Sequence, residues 1–310
     1  MKIIKNFIGQ SHILADVSIQ IQASLQEGVL PDPICIHGPK GMGKTKLAKS
    51  IYETLKLTTQ KPFRYEERTG DYFDRESYDS FLGLTYGITP KVIFIDELQG
   101  MSPYIQNHQL RYFMDEKIIN GERLGEICWI FATTDWGQIV DPLRSRITNV
   151  YYLKDYSLAE MMAIARLIGN DLEIENDTAK LIAESARFCP RDVENFIKKL
   201  RKEISITNKL LCEVAQGICS RLDIFHKGLN GVEIDILKIL CSETGTRANE
   251  AIRKRGISKS RLISCVNINK LDFETIYERY LIRLGFIESN SSGRKITLKG
   301  EEYLYEYIFK

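Results

Sequence analysis

The stretch Ile34-Cys-Ile-His-Gly-Pro-Lys-Gly-Met-Gly-Lys-Thr45 decides the fold of this chain. An apolar run enters a glycine-rich loop that fits the pattern G-x-x-x-x-G-K-S/T. In such a loop, backbone N–H groups turn inward around a nucleoside triphosphate, Lys44 reaches the β- and γ-phosphate oxygens, and the Thr45 hydroxyl completes a Mg²⁺ shell. The helix predicted from Lys46 to Leu55 points its positive end at the same anion. We therefore predict a site for ATP and Mg²⁺; the alternative is a glycine-rich turn that matches the pattern by chance.

A second apolar run, Lys91-Val-Ile-Phe-Ile-Asp-Glu97, ends in two carboxylates. The run is typical of a buried strand, and we expect this strand to lie beside the one that precedes the glycine-rich loop. Asp96 would then hold the Mg²⁺ shell, and Glu97 would polarise the attacking water. Such a strand end is common by itself, but its position after a phosphate loop favours the catalytic interpretation.

A third apolar run, Cys128 to Thr134, ends in two threonines and is followed by Asp141-Pro-Leu-Arg-Ser-Arg146. A threonine at a strand end can bond a γ-phosphate or its water, and an arginine on the next loop can reach a neighbouring subunit's phosphate. The alternatives are an ordinary hydroxyl at a strand edge and arginines at a solvated helix start.

The pattern of apolar residues divides the chain into three predicted domains. Residues 1–153 alternate apolar runs with helical patterns, which predicts an α/β domain with a parallel sheet. Residues 154–224 show apolar residues at three- and four-residue spacing throughout, which predicts an all-helical domain. In residues 225–310, helices precede two short strands around a polar turn, an order typical of a winged helix.

Positive charge is concentrated in the last of these domains. Residues 225–310 contain 15 Lys and Arg against 11 Asp and Glu, whereas residues 1–224 contain 28 against 30. Arg294 and Lys295 are predicted at the wing tip, where basic side chains meet DNA phosphate. The preceding stretch adds further basic residues, among them Arg253 and Arg255. A solvated helix face is the alternative meaning of such a cluster, but the charge distribution favours DNA binding.

Composition excludes several other classes of protein. With 44% hydrophobic and 27% charged residues the chain is ordinary globular protein, and its formal net charge of +2 gives no overall basic field. The seven cysteines form no C-x-x-C pair and the four histidines have no metal-ligand spacing, so we predict reduced cysteines and no structural zinc. There is no run of 18 apolar residues and no signal peptide, which predicts a cytoplasmic protein without a membrane partner.

Taken together, these motifs resemble those of the AAA+ ATPases, and most closely the RuvB family of bacterial Holliday-junction branch-migration motors. The glycine-rich loop and Ile93–Glu97 are similar to the Walker A and Walker B motifs of that family. Phe131–Thr134 is similar to sensor 1, Pro142–Arg146 to the arginine-finger box and Cys189–Arg191 to sensor 2. The likeness extends over nearly the whole length of the chain.

Two further segments contribute to the resemblance, one at each end of the chain. Phe7-Ile-Gly-Gln10 is similar to the family's box beside adenine. Phe273–Ile287, followed by Ser292-Gly-Arg294, is similar to the winged helix of this family rather than to other AAA+ appendages.

The resemblance also implies roles for single residues. Arg146 would act in trans and Arg191 in cis, Thr45 and Asp96 would bind the metal, and Arg294 would contact DNA. The residues implied in catalysis are Lys44, Asp96, Glu97, Thr134, Arg146 and Arg191. Those implied in nucleotide binding are Ile8, Gly38, Pro39, Gly41, Gly43, Lys44, Thr45, Lys46, Tyr156 and Arg191.

One departure from the family concerns the protein partner. Between Met114 and Ala132 the chain has only a short turn, Ile119 to Gly125, where the family carries a long β-hairpin that docks its partner RuvA. The resemblance implies a homo-oligomeric ring, hexameric in the family, that acts on duplex or branched DNA, with a RuvA-like or other adaptor protein left open. The alternative is an ATP-dependent matchmaker that recruits another protein onto DNA without processive movement.

Overall fold

The computed structural model describes Ile4 and residues 7–59, 62–73, 77–116, 118–119, 121–207, 209–246, 256–291 and 293–309. Contacts between residues group the chain into two compact units. The first unit comprises Met1–Ile164 and Cys189–Arg191, and the second comprises Ala165–Phe188 and Asp192–Lys310. The predicted domain boundaries near residues 153 and 224 stay predictions.

A five-stranded parallel sheet organises the first unit, as predicted from its apolar runs. The strands are β1 (Ile34–His37), β2 (Arg64–Thr69), β3 (Lys91–Asp96), β6 (Ile127–Thr133) and β7 (Asn149–Tyr152). Their order in the sheet is β2-β3-β6-β1-β7, and every neighbouring pair is parallel. A separate small hairpin is formed by β4 (Ile118–Ile119) and β5 (Glu122–Arg123).

The prediction that β3 lies directly beside β1, the strand before the phosphate loop, is wrong. Strand β6, rather than β3, pairs with β1, and β6 lies between the two, with Ile130 opposite Ile34 and Ile127 opposite Lys91. The apolar side chains of β6 are buried almost throughout, which suits a strand paired on both sides. Chain order could not predict this, because a strand formed later in the sequence can insert between two earlier ones.

Helices complete the first unit, and they pack an aromatic core against the sheet. The helices are α1 (Ser11–Glu27), α2 (Lys44–Thr59), α3 (Ser77–Thr85), α4 (Pro103–Ile105), a π-turn (Gln106–Leu110), α5 (Arg111–Asp115) and α6 (Asp141–Arg144). Phe81, Phe113 and Phe131 are fully buried in the core. The buried Lys91 donates from Nζ to Thr85 O (3.1 Å) and Tyr86 O (2.6 Å), which neutralises the C-terminal end of α3 and anchors the start of β3.

In the part of the remaining chain that the structure describes, helices are joined by one hairpin, and the final part is the predicted winged helix. Strands β8 (Ile287–Asn290) and β9 (Gly293–Ile296) form the wing, and Phe273, Leu281 and Phe286 lie in the core beneath it. The helices are α7 (Leu158–Ile168), α8 (Asn176–Ser185), α9 (Pro190–Ile204), α10 (Leu211–Arg221), α11 (Gly231–Thr244), α12 (Lys259–Val266), α13 (Lys270–Asp272), a π-turn (Phe273–Tyr277), α14 (Glu278–Leu284) and α15 (Leu298–Tyr307). Within the described ranges, none of the helices is long and apolar enough to cross a membrane.

Candidate functional site

The glycine-rich loop connects β1 to α2 and holds the predicted phosphate-binding lysine at its end. Lys44 is buried, and its Nζ donates to the carbonyl oxygens of Gly38 (2.9 Å) and Pro39 (3.1 Å). Burial lowers the pKa of Lys44, while the carboxylates of Glu97 and Asp96 oppose that shift. The ammonium group is therefore folded against its own loop and faces the two acids that end β3.

The three glycines of the loop, Gly38, Gly41 and Gly43, have a positive φ, which other residues avoid. Gly41 has φ +83° and Gly43 has φ +95°, both in the left-handed region. A Cβ added to Gly41 would lie 2.6 Å from the Cys189 sulfur. The N–H of Arg191 also donates to Gly41 O at 3.3 Å. The segment predicted as sensor 2 thus lies directly against the phosphate loop, within the same compact unit.

The two residues predicted to bind the metal are in contact. Thr45 Oγ1 donates to Asp96 Oδ2 at 2.8 Å, and the other Asp96 oxygen accepts from the Glu97 N–H at 2.9 Å. Among the described residues, no group of three or more His, Cys, Asp or Glu could hold a metal by itself. Mg²⁺ at nucleotide sites is ordinarily bound by one or two protein oxygens together with substrate phosphates. The pair Thr45 and Asp96 fits that requirement.

Glu97 lies in a hydrogen-bonded cluster with the two threonines at the end of β6. Its Oε2 accepts from Gln99 Nε2 at 2.5 Å, and Thr134 Oγ1 is 3.4 Å away. The same Gln99 nitrogen donates to Thr134 Oγ1 at 2.9 Å, and Gln99 Oε1 accepts from Thr133 Oγ1 at 2.6 Å. The structure therefore brings Glu97 and Thr134 together, as the motifs predict. The sequence interpretation missed Gln99; its only signal was an amide side chain two residues after the acid.

The backbone at Glu97 is also unusual. Its φ of 48° and ψ of 51° lie in the left-handed region, which a side chain such as glutamate enters at a cost of about 1 kcal/mol or more. A Cβ added to Gly70 would lie 2.4 Å from Glu97 O, so glycine at position 70 permits this close approach. The side chain that leaves this strained turn contacts Thr134 and Gln99.

The N-terminal box beside the loop is held by Gln10. Its Nε2 donates to Lys154 O at 2.6 Å, and its Oε1 accepts from the Lys154 N–H at 3.0 Å. Tyr156 then donates from its hydroxyl to Met42 O at 2.9 Å. A Cβ added to Gly9 would meet the Tyr156 ring at 2.8 Å. The structure thus brings the segment that contains Ile8, the tyrosine and the phosphate loop into one region, with Pro39 and Lys46 on its exposed side.

Arg146, the predicted finger, is engaged within its own chain. Its Nε is 2.8 Å from both carboxylate oxygens of Asp115, and its Nη1 donates to Pro142 O at 2.8 Å. The Arg146 side chain is 32% exposed and that of Asp115 is 43% exposed. The described partners of Arg146 therefore belong to α6 and to the end of α5, and the pair with Asp115 faces solvent.

Arg294, one of the residues predicted to contact DNA, is less exposed than Arg146. Arg294 Nε lies 2.5 Å from Glu278 Oε1, and both side chains are largely buried, at 16% and 10% exposure. The Arg294 backbone also pairs with Ile257, at 2.8 and 2.9 Å. Lys295 lies next in β9, opposite Glu288. Arg253 and Arg255 lie outside the described residues.

Comparison with known proteins agrees with this geometry. Residues 34–155 match the ATPase family associated with various cellular activities (AAA), and residues 226–305 match the RuvB C-terminal winged helix domain. The Holliday junction branch migration complex subunit RuvB of Mesomycoplasma hyopneumoniae is 28% identical, over 97% of this chain and 95% of that protein. RuvB of Mycoplasma genitalium is 26% identical, over 97% and 96%.

A solved structure shows the same fold over nearly the whole length. The Thermotoga maritima RuvB Holliday junction branch migration motor superimposes with a TM-score of 0.70 and 22% identity, covering 98% of this chain and 99% of that one. The chain therefore combines an AAA-family ATPase domain, which contains the phosphate loop, with a winged helix domain of the RuvB type, and it resembles RuvB over nearly its whole length.

Proposed function

We propose that this protein works as a ring-shaped homo-oligomer that hydrolyses ATP to act on duplex or branched DNA, as in Holliday-junction branch migration. The observation that carries the proposal is the contact of Thr45 with Asp96, next to the cluster of Glu97 and Thr134, in a chain that also has a RuvB-type winged helix. The relatives named as branch-migration subunits support the assignment to DNA rather than to protein remodelling.

Each residue of the site has a defined task in this proposal. Lys44 binds the β- and γ-phosphates, and Glu97 orients and polarises the water that attacks the γ-phosphate. Thr45 and Asp96 would hold Mg²⁺, which when bound neutralises charge on the phosphate oxygens. Thr134 donates a hydrogen bond toward the γ-phosphate or its water. Arg191, whose backbone contacts the phosphate loop, supplies positive charge in cis.

The ring follows from the role given to Arg146. An arginine finger contributes roughly 10³–10⁵ in rate when it reaches a phosphate in a neighbouring subunit. The exposed pair of Arg146 with Asp115 supports this role, because an exposed ion pair is exchanged for a new partner at little cost. An isolated subunit would then hydrolyse ATP slowly, and a hexameric ring in the cytoplasm is the form that we propose for the active state.

A second candidate function is supported by the small β4–β5 hairpin. Each of its strands has two residues, Ile118–Ile119 and Glu122–Arg123, where the family carries a long docking hairpin. A ring without that hairpin would use ATP to recruit another adaptor protein onto DNA, as a matchmaker that does not move processively.

Steady-state ATP hydrolysis, measured against protein concentration, tests the proposal. The assay is run alone, with linear duplex and with four-way-junction DNA, and Glu97→Gln is the inactive reference that still binds ATP. Glu116→Gln, an exposed acid of the same unit, is the matched control. A cooperative rise that DNA stimulates supports the motor. Turnover that ignores DNA favours the matchmaker, and wild-type turnover in Glu97→Gln contradicts the assignment of the site.

A further inference from the structure

Gln99 uses its whole side-chain amide to connect residues from two strand ends. Its nitrogen donates to Glu97 Oε2 (2.5 Å) and Thr134 Oγ1 (2.9 Å), and its oxygen accepts from Thr133 Oγ1 (2.6 Å). Thr133 Oγ1 in turn accepts from the Asp135 N–H at 3.0 Å. The chain of hydrogen bonds therefore runs from the acid that ends β3 to the residues that end β6.

The orientation of this amide follows from charge. A carboxylate accepts hydrogen bonds and cannot donate them, so only the NH₂ end of Gln99 can face Glu97. The Thr133 hydroxyl accepts from Asp135 N–H and has its own hydrogen left for the Gln99 oxygen. A flipped amide would place its oxygen against the carboxylate and lose the hydrogen bond to Glu97.

The contacts also indicate which oxygen of the Glu97 carboxylate remains for the attacking water. Among the described residues, the hydrogen bonds to the Glu97 side chain reach Oε2, which leaves Oε1 for the attacking water. A hydrogen bond from a neutral donor to a carboxylate is strong and directional. Since the Glu97 side chain extends from a strained left-handed turn, this bond restricts a carboxylate that the backbone alone would leave free to rotate.

We propose that Gln99 is a positioning residue for ATP hydrolysis, which orients the Glu97 carboxylate and ties its position to Thr134. The inference rests on the proposed role of Glu97 as the water-activating group. Movement of Thr134 on contact with a γ-phosphate would be transmitted to Glu97 through one amide, so that water activation depends on the state of the nucleotide.

The first test compares Gln99→Leu with Gln138→Leu. Gln99→Leu keeps a similar volume but removes both donors and the acceptor; Gln138 is an exposed glutamine of the neighbouring loop that donates to Asp135 Oδ2 at 2.9 Å. We expect kcat of Gln99→Leu to fall about 10- to 100-fold with KM for ATP changed less than about threefold, since the lost interaction acts in the transition state. The control is expected to stay within about twofold of wild type.

The second test uses Gln99→Glu, which keeps the shape and places a second carboxylate against Glu97. A carboxylate cannot donate a hydrogen bond, so this variant removes the bond to Glu97 without changing the size of the side chain. We expect kcat of Gln99→Glu to fall at least as far as that of Gln99→Leu, with KM for ATP changed less than about threefold. A role in folding alone predicts that nucleotide affinity is lost together with kcat.

The outcomes separate the inference from the proposed function. If Glu97→Gln is inactive while Gln99→Leu keeps kcat within about twofold of wild type, Gln99 has no positioning role although Glu97 keeps its own. A kcat within about twofold of wild type in Gln99→Glu is equally contradictory. Full turnover in Glu97→Gln would overturn both statements. The affinity for a fluorescent ATP analogue is measured for every variant, to check that its nucleotide site is folded.

Discussion

The nucleotide site and the wing carry their charged residues in different ways. In the nucleotide site, Lys44 and Asp96 come from separate strand ends and face the same loop. Arg146 is held by an exposed pair with Asp115 and by a hydrogen bond to Pro142 O. In the wing, Arg294 is held by Glu278 in a pair that is mostly buried. A basic residue at a position predicted to be functional thus lies in an exposed ion pair in one region and in a mostly buried ion pair in the other.

Exposure is the physical reason for that difference. An exposed ion pair such as that of Arg146 with Asp115 contributes about 1 kcal/mol or less, so a phosphate can take the place of the Asp115 carboxylate. Breaking a buried pair by removing one partner costs several kcal/mol, because a charge is left without compensation. Four measurements distinguish these situations.

The largest effect is expected for Arg146→Ala. ATP turnover should fall by about 10³-fold or more while ATP affinity is retained, because the finger acts only on a neighbour's transition state. Turnover and nucleotide affinity are measured at a protein concentration where the ring is assembled. Arg144→Ala, at the end of α6 and two residues earlier in the chain, is the control. Normal turnover in Arg146→Ala would rule out Arg146 as the arginine finger. A loss of turnover in Arg144→Ala alone would assign the finger role to Arg144.

Arg294→Ala should act on stability more than on DNA. We expect the free energy of unfolding to fall by about 3 kcal/mol, because the substitution leaves Glu278 buried and unpaired. Urea denaturation of the full chain measures the loss, and the double variant Arg294→Ala with Glu278→Ala should recover part of it. Unchanged stability together with weaker binding to duplex DNA would instead make Arg294 a DNA contact.

The buried carboxyl group of Glu233, which lies in the second compact unit together with Arg294, makes the stability of the fold depend on pH. The Glu233 side chain is fully buried at the start of α11, and burial raises its pKa from 4.5 to about 7, although Arg187 and the Asn230 N–H oppose the shift. The folded state therefore holds a proton that the unfolded state releases. Stability from this group is complete below about pH 4.5 and is lost as the pH rises through about 7.

We expect Glu233→Gln to remove this part of the pH dependence. Between about pH 5 and pH 8, the unfolding free energy of wild type should fall by on the order of 1–2 kcal/mol more than that of the variant. Urea midpoints at the two pH values provide the measurement, with the exposed Glu213→Gln as control. Parallel changes in wild type and Glu233→Gln would show that this carboxyl does not titrate in the window.

The smallest effect is expected for Lys295→Ala. If Lys295 contacts phosphate, its loss should weaken binding about equally for all DNA sequences and lower the slope of log affinity against log salt by about 1. Fluorescence anisotropy with two unrelated duplexes measures both properties. Lys238→Ala removes the same charge from a site outside the wing and is the control. An effect on one duplex only would indicate a base contact.

Contiguous motifs were the part of the molecule that could be predicted. The strand, loop and helix around Lys44 and the acids that end β3 follow one another in the chain, so local geometry places them together. The wing hairpin was predicted for the same reason. The lateral order of the strands was not, because β6 inserts between β3 and β1 and no local pattern encodes its neighbours.

The sequence alone determined that the chain has a phosphate loop, two acids at a strand end and a winged helix, since each depends on residue types at fixed short spacing. Tertiary structure decided which side chains are free. Gln99 contacts Thr133 and Thr134 only because β3 and β6 are adjacent strands, and Arg294 meets Glu278 only because α14 packs beneath the wing. Whether a charged or polar group is available depends on burial and on partners distant in the chain, and those arise only when the elements pack.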